Sequence, residues 1–135
     1  MRNGRRELNA PSRMRNESGR GENLKERTKQ FALQIIKLVE RLPKTNTTRV
    51  IAGQLLRAGT SVGSNYRASC RARSTADFIA KMGIVEEEAD ESLYWLELLV
   101  AAGLVAFEEA SPLMHEANEL VSIAVSSIKT ARKPQ

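Results

Sequence analysis

The chain has little of what several protein classes require. Its 135 residues contain one cysteine, Cys70, which excludes an internal disulfide framework and any site built from several cysteines, and which fits a reducing compartment. The longest nearly uncharged apolar run, residues 98–107, is about half the length that a bilayer crossing needs. The N-terminus opens with arginines instead of an apolar segment. We therefore expect a non-secreted, cytoplasmic protein with no membrane span and no metal site.

Proline is also scarce, and its placement predicts the fold class. The four prolines are Pro11, Pro43, Pro112 and Pro134, so residues 44–111 contain none. The alternation of β-branched and polar residues that is typical of strands is missing throughout. Helices are therefore the expected secondary structure.

The first 21 residues differ in composition from the rest. Residues 1–21 hold six arginines, two glutamates, three glycines and almost no apolar residue. Such a segment buries too little surface to offset its ordering entropy, so we expect a disordered basic arm. Because Met14 lies inside it, the arm is either native or an extension upstream of the true start. Residues 22–132 are the expected folded domain.

Four apolar stripes at helical spacing follow one another along that domain. They predict helices over about 22–42, 47–71, 74–103 and 112–131. The expected capping and stop residues, in chain order, are Pro43, Asn46 or Thr47, Ser74, Gly103, and the pair Ser111 and Pro112. Four amphipathic helices with short connections predict an all-α, antiparallel up-down four-helix bundle. In the second helix, the small residues 58–64 predict close packing of a neighbouring helix.

Charge is shared unevenly between the two middle helices. Residues 46–73 carry five arginines and no acid, whereas residues 74–103 carry seven acids and one lysine. Four of the arginines, Arg49, Arg57, Arg67 and Arg71, fall within an arc of roughly 80° on one helix face. With Lys37 and Arg41, this arginine stripe is the expected nucleic-acid-binding surface. The alternative is that the arginines pair with acids of the third helix, within or between subunits.

The third predicted helix has a second face that is half apolar. This face contains Ile84, Glu88, Glu91, Trp95 and Leu98, and it lies apart from the stripe that faces the core. An apolar face outside the core predicts a second partner. We expect these residues to form an oligomer interface.

The sequence contains fragments of catalytic motifs but not their context. Residues 59–63 match G-x-S-x-G, yet that chemistry needs a strand and a sheet to present the serine. His115 is the only histidine, and an exposed position on the fourth helix suits it better than a catalytic one. Tyr94 and Trp95 are expected to pack or to contact another subunit instead of stacking on bases. We expect no enzyme activity, no cofactor and no small-molecule substrate.

Three linked segments, residues 57–68, 74–81 and 86–99, resemble the signature of a bacterial protein family. This family comprises the 23S rRNA intervening sequence proteins, formerly labelled ribosomal protein S23. The resemblance implies a small four-helix bundle, often a homopentamer around a central channel, with no catalytic activity. A related branch comprises the accessory variability proteins of diversity-generating retroelements, basic pentamers that bind nucleic acid and a reverse transcriptase. Many relatives have an acidic residue shortly after the position of Asn65, where this chain has Tyr66, Arg67 and Ala68.

These observations lead to one expectation and one alternative. The expected protein is a non-catalytic homo-oligomer whose basic surface binds RNA or DNA with little sequence preference. The alternative is a protein-interaction scaffold, such as an adaptor for a reverse transcriptase or another protein, with no nucleic-acid binding of its own. Under the alternative, the arginines hold the assembly together, so their removal dissociates it.

Overall fold

A computed structural model describes the backbone of residues 18–134 and the side chains of residues 23–134. Within this part of the chain there are four α-helices and no strand: α1 (Ser18–Glu40), α2 (Asn46–Cys70), α3 (Thr75–Ala101) and α4 (Phe107–Arg132). The predicted arm lies outside the described residues except for its last four positions, 18–21, which belong to α1. Connections of four or five residues reverse the chain between successive helices. The predicted antiparallel four-helix bundle is confirmed.

Most helix ends follow from local chemistry. Ser74 caps α3 as predicted, since its hydroxyl accepts a hydrogen bond from the backbone N–H of Asp77 at 3.0 Å. Gly103 ends the helix with φ 74°, a conformation that glycine adopts without strain. The N–H groups of Gly103 and Leu104 then bond to the carbonyls of Val100 and Leu99, which is a Schellman motif.

Three predicted helix starts were wrong, and the first is that of α1, which begins at Ser18, four residues before the predicted start. The N-cap of α2 is Thr45, not Asn46 or Thr47, because the Thr45 hydroxyl accepts from the N–H of Thr48 at 3.1 Å. Helix α4 begins at Phe107, five residues before the predicted start, and contains Pro112 in its second turn. Pro112 removes one backbone donor there, and its ring crowds the carbonyl of Glu108. Burial of Ala110 one turn before the buried Leu113 extends the apolar stripe past the proline and outweighs that loss.

The core is a single apolar cluster to which all four helices contribute. Its larger members, in chain order, are Leu24, Phe31, Ile35, Leu38, Leu55, Val62, Tyr66, Met82, Val85, Leu96, Leu99, Leu113, Leu120 and Ile128. Each helix packs extensively on its neighbour in the chain, but α1 and α4 contact each other much less than the other neighbouring pairs do. None of the helices in the described part combines the length and hydropathy needed to cross a membrane.

The predicted close packing along α2 involves α1. A Cβ on Gly59 would lie 3.0 Å from Cγ1 of Ile35, and one on Gly63 would lie 3.1 Å from Oγ1 of Thr28. The absence of a side chain at each glycine therefore leaves room for Ile35 and Thr28 of α1, which a larger residue would displace. The two glycines thus allow a close approach of α1 to α2.

Two arginines bridge the sparse contact between α1 and α4. Arg27 makes a bidentate ion pair with Glu116, at 3.0 Å from Nε and 2.7 Å from Nη2. This pairing raises the pKa of the Arg27 guanidinium. Arg41 donates from Nε to Glu109 at 2.7 Å. These ion pairs connect α1, and the residue that follows it, to α4.

Candidate nucleic-acid interface

Charge divides the bundle into two halves. Residues 23–73, which include most of α1 and all of α2, carry eleven lysines and arginines and two acids. Residues 74–134, which contain α3 and α4, carry eleven acids and four lysines and arginines. Any surface of the bundle that binds phosphate is therefore expected on the α1 and α2 half.

The arginine stripe of α2 is exposed along its whole length, but its members have different partners. Arg49, Arg57, Arg67 and Arg71 are all exposed. Only Arg57 forms an ion pair with another described residue, and Arg49 donates to the side-chain oxygen of Asn46 at 2.7 Å. The two interpretations of the stripe thus apply to different arginines.

Arg57 is held by two carboxylates of α3. Its Nη1 lies 3.1 Å from Oε1 of Glu88, and its Nη2 bonds to Oε2 of Glu91. The same Glu91 oxygen accepts a hydrogen bond from Nε1 of Trp95 at 3.0 Å. Hydrogen bonds from Arg57, and secondarily from Trp95, lower the pKa of Glu91, while the pKa of Arg57 is raised chiefly by its bond to Glu91. Arg57 therefore joins α2 to α3, and its positive charge is balanced by these two carboxylates.

Trp95, the single tryptophan, donates to Glu91 and is therefore expected to report on the protonation of that carboxylate. Because the pKa of Glu91 is lowered in the folded protein, the contact stabilises the fold at neutral pH and is lost as the pH falls below the ordinary value of 4.5. We expect a change in Trp95 fluorescence with a midpoint below pH 4.5, and Arg57→Gln is expected to move that midpoint upward. Arg49→Gln is the control and is expected to leave it in place. Identical midpoints in all three proteins would contradict the assignment.

Arg67 and Arg71 lie at an open groove between α1 and α2, which we call the α1/α2 groove. Its volume is about 680 Å³. The cationic side chains that line it are Lys25 and Lys29 of α1, Arg67 of α2, and Arg71, the C-cap of α2. None of the four lies within ion-pair distance of a carboxylate among the described side chains.

The floor of the α1/α2 groove is made of small residues. It contains Thr28, Ala32, Thr60, Gly63 and Ser64, with Cys70 beside them. The close approach of Thr28 to Gly63 sets its depth. One acid, Glu26, also lines the groove, and it accepts a hydrogen bond from Gln30 at 2.8 Å. The groove therefore has cationic rims, and the hydroxyls of Thr28, Thr60 and Ser64 between them donate to backbone carbonyls of their own helices.

The remaining predicted binding residues lie elsewhere on the same half. Lys37 is exposed in the last turn of α1. Arg41 lies just after α1 and is paired with Glu109 of α4. Arg49 is in the first turn of α2, at the end of the helix opposite Arg67. The structure thus brings together only Arg67 and Arg71 of the six predicted residues.

The predicted interface residues on α3 are all half-buried: Ile84, Glu88, Glu91, Trp95 and Leu98. Contacts with Arg57 account for Glu88 and Glu91, and Trp95 packs against the core. Tyr94 is 54% exposed beside this face, and its ring contacts Trp95 edge-on at a centroid distance of 5.0 Å. Apolar surface therefore remains outside the core along Ile84, Tyr94 and Leu98.

The fragments of catalytic motifs lie in separate helices. Ser61 of the G-x-S-x-G match is in the middle of α2. His115 is exposed on α4, 3.7 Å from Glu119. No group of three or more histidines, cysteines or acids in the described part of the chain is arranged to hold a metal ion.

The fold and the arginine-rich second helix can now be compared with known proteins. The family model described as 23S rRNA-intervening sequence protein matches residues 23–126. The chain belongs to this family. The match begins near the first described side chains of α1 and ends inside α4, so the family covers all four helices, including the α1/α2 groove and the Arg57 contact.

Solved structures and curated proteins were also compared. The chain is similar to the crystal structure of a protein with unknown function from the S23 ribosomal protein family of Bacteroides thetaiotaomicron VPI-5482. The two are 36% identical with a TM-score of 0.73, and the match covers 78% of this chain and 97% of that chain. No curated protein matches the chain.

Sequence reasoning missed Lys25 and Lys29. Their spacing of four residues places them on one face of α1, which was a usable signal. The missing information was which face of α1 lies beside Arg67, because helix rotation within a bundle depends on contacts between distant residues.

Proposed function

We propose that this protein is a non-catalytic homo-oligomer whose α1 and α2 half binds RNA or DNA with little sequence preference. The observation that carries the proposal is the α1/α2 groove, where Lys25, Lys29, Arg67 and Arg71 lie without carboxylate partners among the described side chains. Unpaired cations on facing helices favour a ligand that carries several negative charges. Phosphate groups along a nucleic acid meet that description.

The lining of the groove favours recognition of the backbone over the bases. Guanidinium and ammonium groups donate to phosphate oxygens and carry no sequence information. None of the described residues that line the groove is aromatic, so bases have no stacking surface there. Binding is therefore expected to be salt-dependent and tolerant of sequence, with dissociation constants near the nonspecific range of about 10⁻⁴–10⁻⁶ M at physiological salt.

A titration of a labelled RNA hairpin with single-stranded tails tests the binding. We expect fluorescence anisotropy to show saturable binding at 0.05 M salt that weakens linearly on a plot of log affinity against log salt. The hairpin presents paired and unpaired segments, so the result does not depend on which is preferred. Absence of binding at low salt would overturn the proposal and leave the scaffold function.

We also propose that the subunits form a homopentamer in the bacterial cytoplasm. Support comes from the apolar surface along Ile84, Tyr94 and Leu98 and from the family resemblance. This strip is on α3, whereas the α1/α2 groove is lined by residues of α1 and α2. Subunit assembly and nucleic-acid binding can therefore occur at the same time. The role as an adaptor for a reverse transcriptase is the second candidate, and the same apolar strip is where such a protein would dock.

Light scattering at micromolar concentration tests the assembly. We expect about 75 kDa, five times the chain mass of 15.0 kDa, for the wild type. Leu98→Glu combined with Ile84→Glu is expected to reduce the mass to that of one chain, because charges would enter an apolar contact. The control replaces two exposed apolar residues elsewhere, Val50→Glu and Phe107→Glu, and is expected to keep the mass. A wild-type particle of 15.0 kDa would contradict the homo-oligomer.

A further inference from the structure

The α1/α2 groove has cations on both sides along its length. One turn of α1 separates Lys25 from Lys29, and one turn of α2 separates Arg67 from Arg71, so each rim carries two charges about 6 Å apart along its helix axis. The helices run antiparallel, with Thr28 over Gly63 and Ile35 over Gly59. The N-terminal part of α1 therefore lies beside the C-terminal part of α2, which brings the two charged pairs to one end of the bundle.

We propose, on the basis of the proposed function, that this groove binds one single strand of nucleic acid by a few consecutive phosphates, with its bases directed outward. The lysine pair faces the strand from α1 and the arginine pair faces it from α2. The hydroxyls of Thr60 and Ser64 between them donate to the backbone carbonyls of Leu56 and Ser61, so the four cations supply the contacts to phosphate. Each subunit of the oligomer then binds one stretch of the strand.

The dimensions of the groove favour a single strand over a duplex. Its cations come from two helices that pack together at Gly59 and Gly63, so they lie on both sides of one groove of about 680 Å³. A single strand is flexible and thin enough to lie between the rims and to expose its phosphates to both. A duplex has a persistence length of about 50 nm and does not bend over the length of one subunit, so fewer of its phosphates reach the cations on both sides.

The groove is expected to distinguish neither one base from another nor RNA from DNA. It offers no aromatic ring among its described lining residues, so base identity does not contribute through stacking. Its donors face the phosphates, which RNA and DNA share. Single strands of RNA and DNA with the same length are therefore expected to bind with similar affinity.

Anisotropy titrations with a labelled single-stranded 12-mer and the matching duplex test the proposal. Duplexes usually gain more from counterion release than single strands do, so tighter binding of the single strand, by about 5-fold or more, reverses the ordinary polyelectrolyte order. Preference for the duplex would overturn the single-strand assignment while leaving the proposed function intact. Failure to bind either probe would overturn both.

A matched pair of variants locates the strand. Lys25→Gln with Arg67→Gln removes one cation from each rim, and at 0.1 M salt the loss of two contacts corresponds to about 25-fold weaker binding. Lys37→Gln with Arg49→Gln removes the same two charge types from the same two helices outside the groove and is expected to change the affinity less than 2-fold. Equal losses in the two variants would show that binding is diffuse and would overturn the groove assignment.

Cys70 provides an independent measurement because it is exposed, lines the groove and is the single cysteine of the chain. The rate at which iodoacetamide alkylates it is expected to fall at least about 5-fold when the single strand saturates the protein. The Lys37 and Arg49 variant is expected to show the same protection. An unchanged alkylation rate at saturation would place the strand outside the groove and contradict the proposal.

Discussion

Replacing all four groove cations by glutamine is expected to lower the affinity for single-stranded RNA by between two and three orders of magnitude at 0.1 M salt. The variant carries Lys25→Gln, Lys29→Gln, Arg67→Gln and Arg71→Gln. Each phosphate contact on a single strand contributes about 0.7 to the slope of log affinity against log salt, so four contacts contribute about 2.8. The expected measurement is therefore both a weaker affinity and a slope that is smaller by that amount.

The control for this variant removes the same number and type of charges from the same half. It carries Lys37→Gln, Lys44→Gln, Arg49→Gln and Arg57→Gln, of which Arg57 is already paired with α3. We expect this control to retain most of the affinity and slope. Loss of binding in both variants would mean that net charge, and not the groove, determines affinity.

Light scattering on the groove variant separates binding from assembly. A binding surface predicts that the variant keeps the mass of the wild type, since the groove cations serve the nucleic acid. The scaffold alternative predicts that their removal dissociates the oligomer and that the wild type binds no RNA. The two measurements together therefore choose between the two functions.

Ile35→Ala is expected to destabilise the fold by about 2–5 kcal/mol, the largest stability effect that we predict for one substitution. Ile35 is 0% exposed and fills the space over Gly59, so its truncation leaves a cavity that a glycine cannot fill. Helix α1 also contacts α4 sparsely, and it therefore depends on its packing against α2. Loss of this contact loosens the helix that carries Lys25 and Lys29.

The adjacent residue supplies the control. Ile36 is 39% exposed, and Ile36→Ala is expected to cost less than about 1 kcal/mol. Urea denaturation, followed by helical circular dichroism, gives the free energy of unfolding of both variants. Similar losses for the two alanines would mean that α1 is oriented differently from the structure described above.

Local patterns in the sequence were sufficient to predict the fold. Stripes of apolar residues at spacings of three and four predicted all four helices, and the stripe of α3 matches the buried residues Met82, Val85, Ala89, Leu96 and Leu99. Ser74 and Gly103 predicted the two ends of that helix, because capping involves neighbours in the chain. The small residues of α2 likewise predicted close packing without showing that α1 was the partner.

The prediction failed where tertiary packing outweighs a local signal. Pro112 indicated a helix start, but burial of Ala110 extends α4 back to Phe107. At the α2 start, three consecutive polar residues could each serve as a cap. Thr45 is the cap because its backbone is extended, with φ −114° and ψ 166°, and its hydroxyl reaches the N–H of Thr48, which the sequence pattern does not encode.

The sequence by itself determined the four helices, their apolar faces and the division into a basic and an acidic half, since all of these follow from residue type and spacing. Only the tertiary structure decided which cations are free. Arg57 pairs with carboxylates 31 and 34 positions away along the chain, and Arg41 pairs with one 68 positions away. Lys25 of α1 and Arg67 of α2 line the same groove. Such contacts depend on how the helices are rotated about their axes, and that rotation is set by the packing of the whole core.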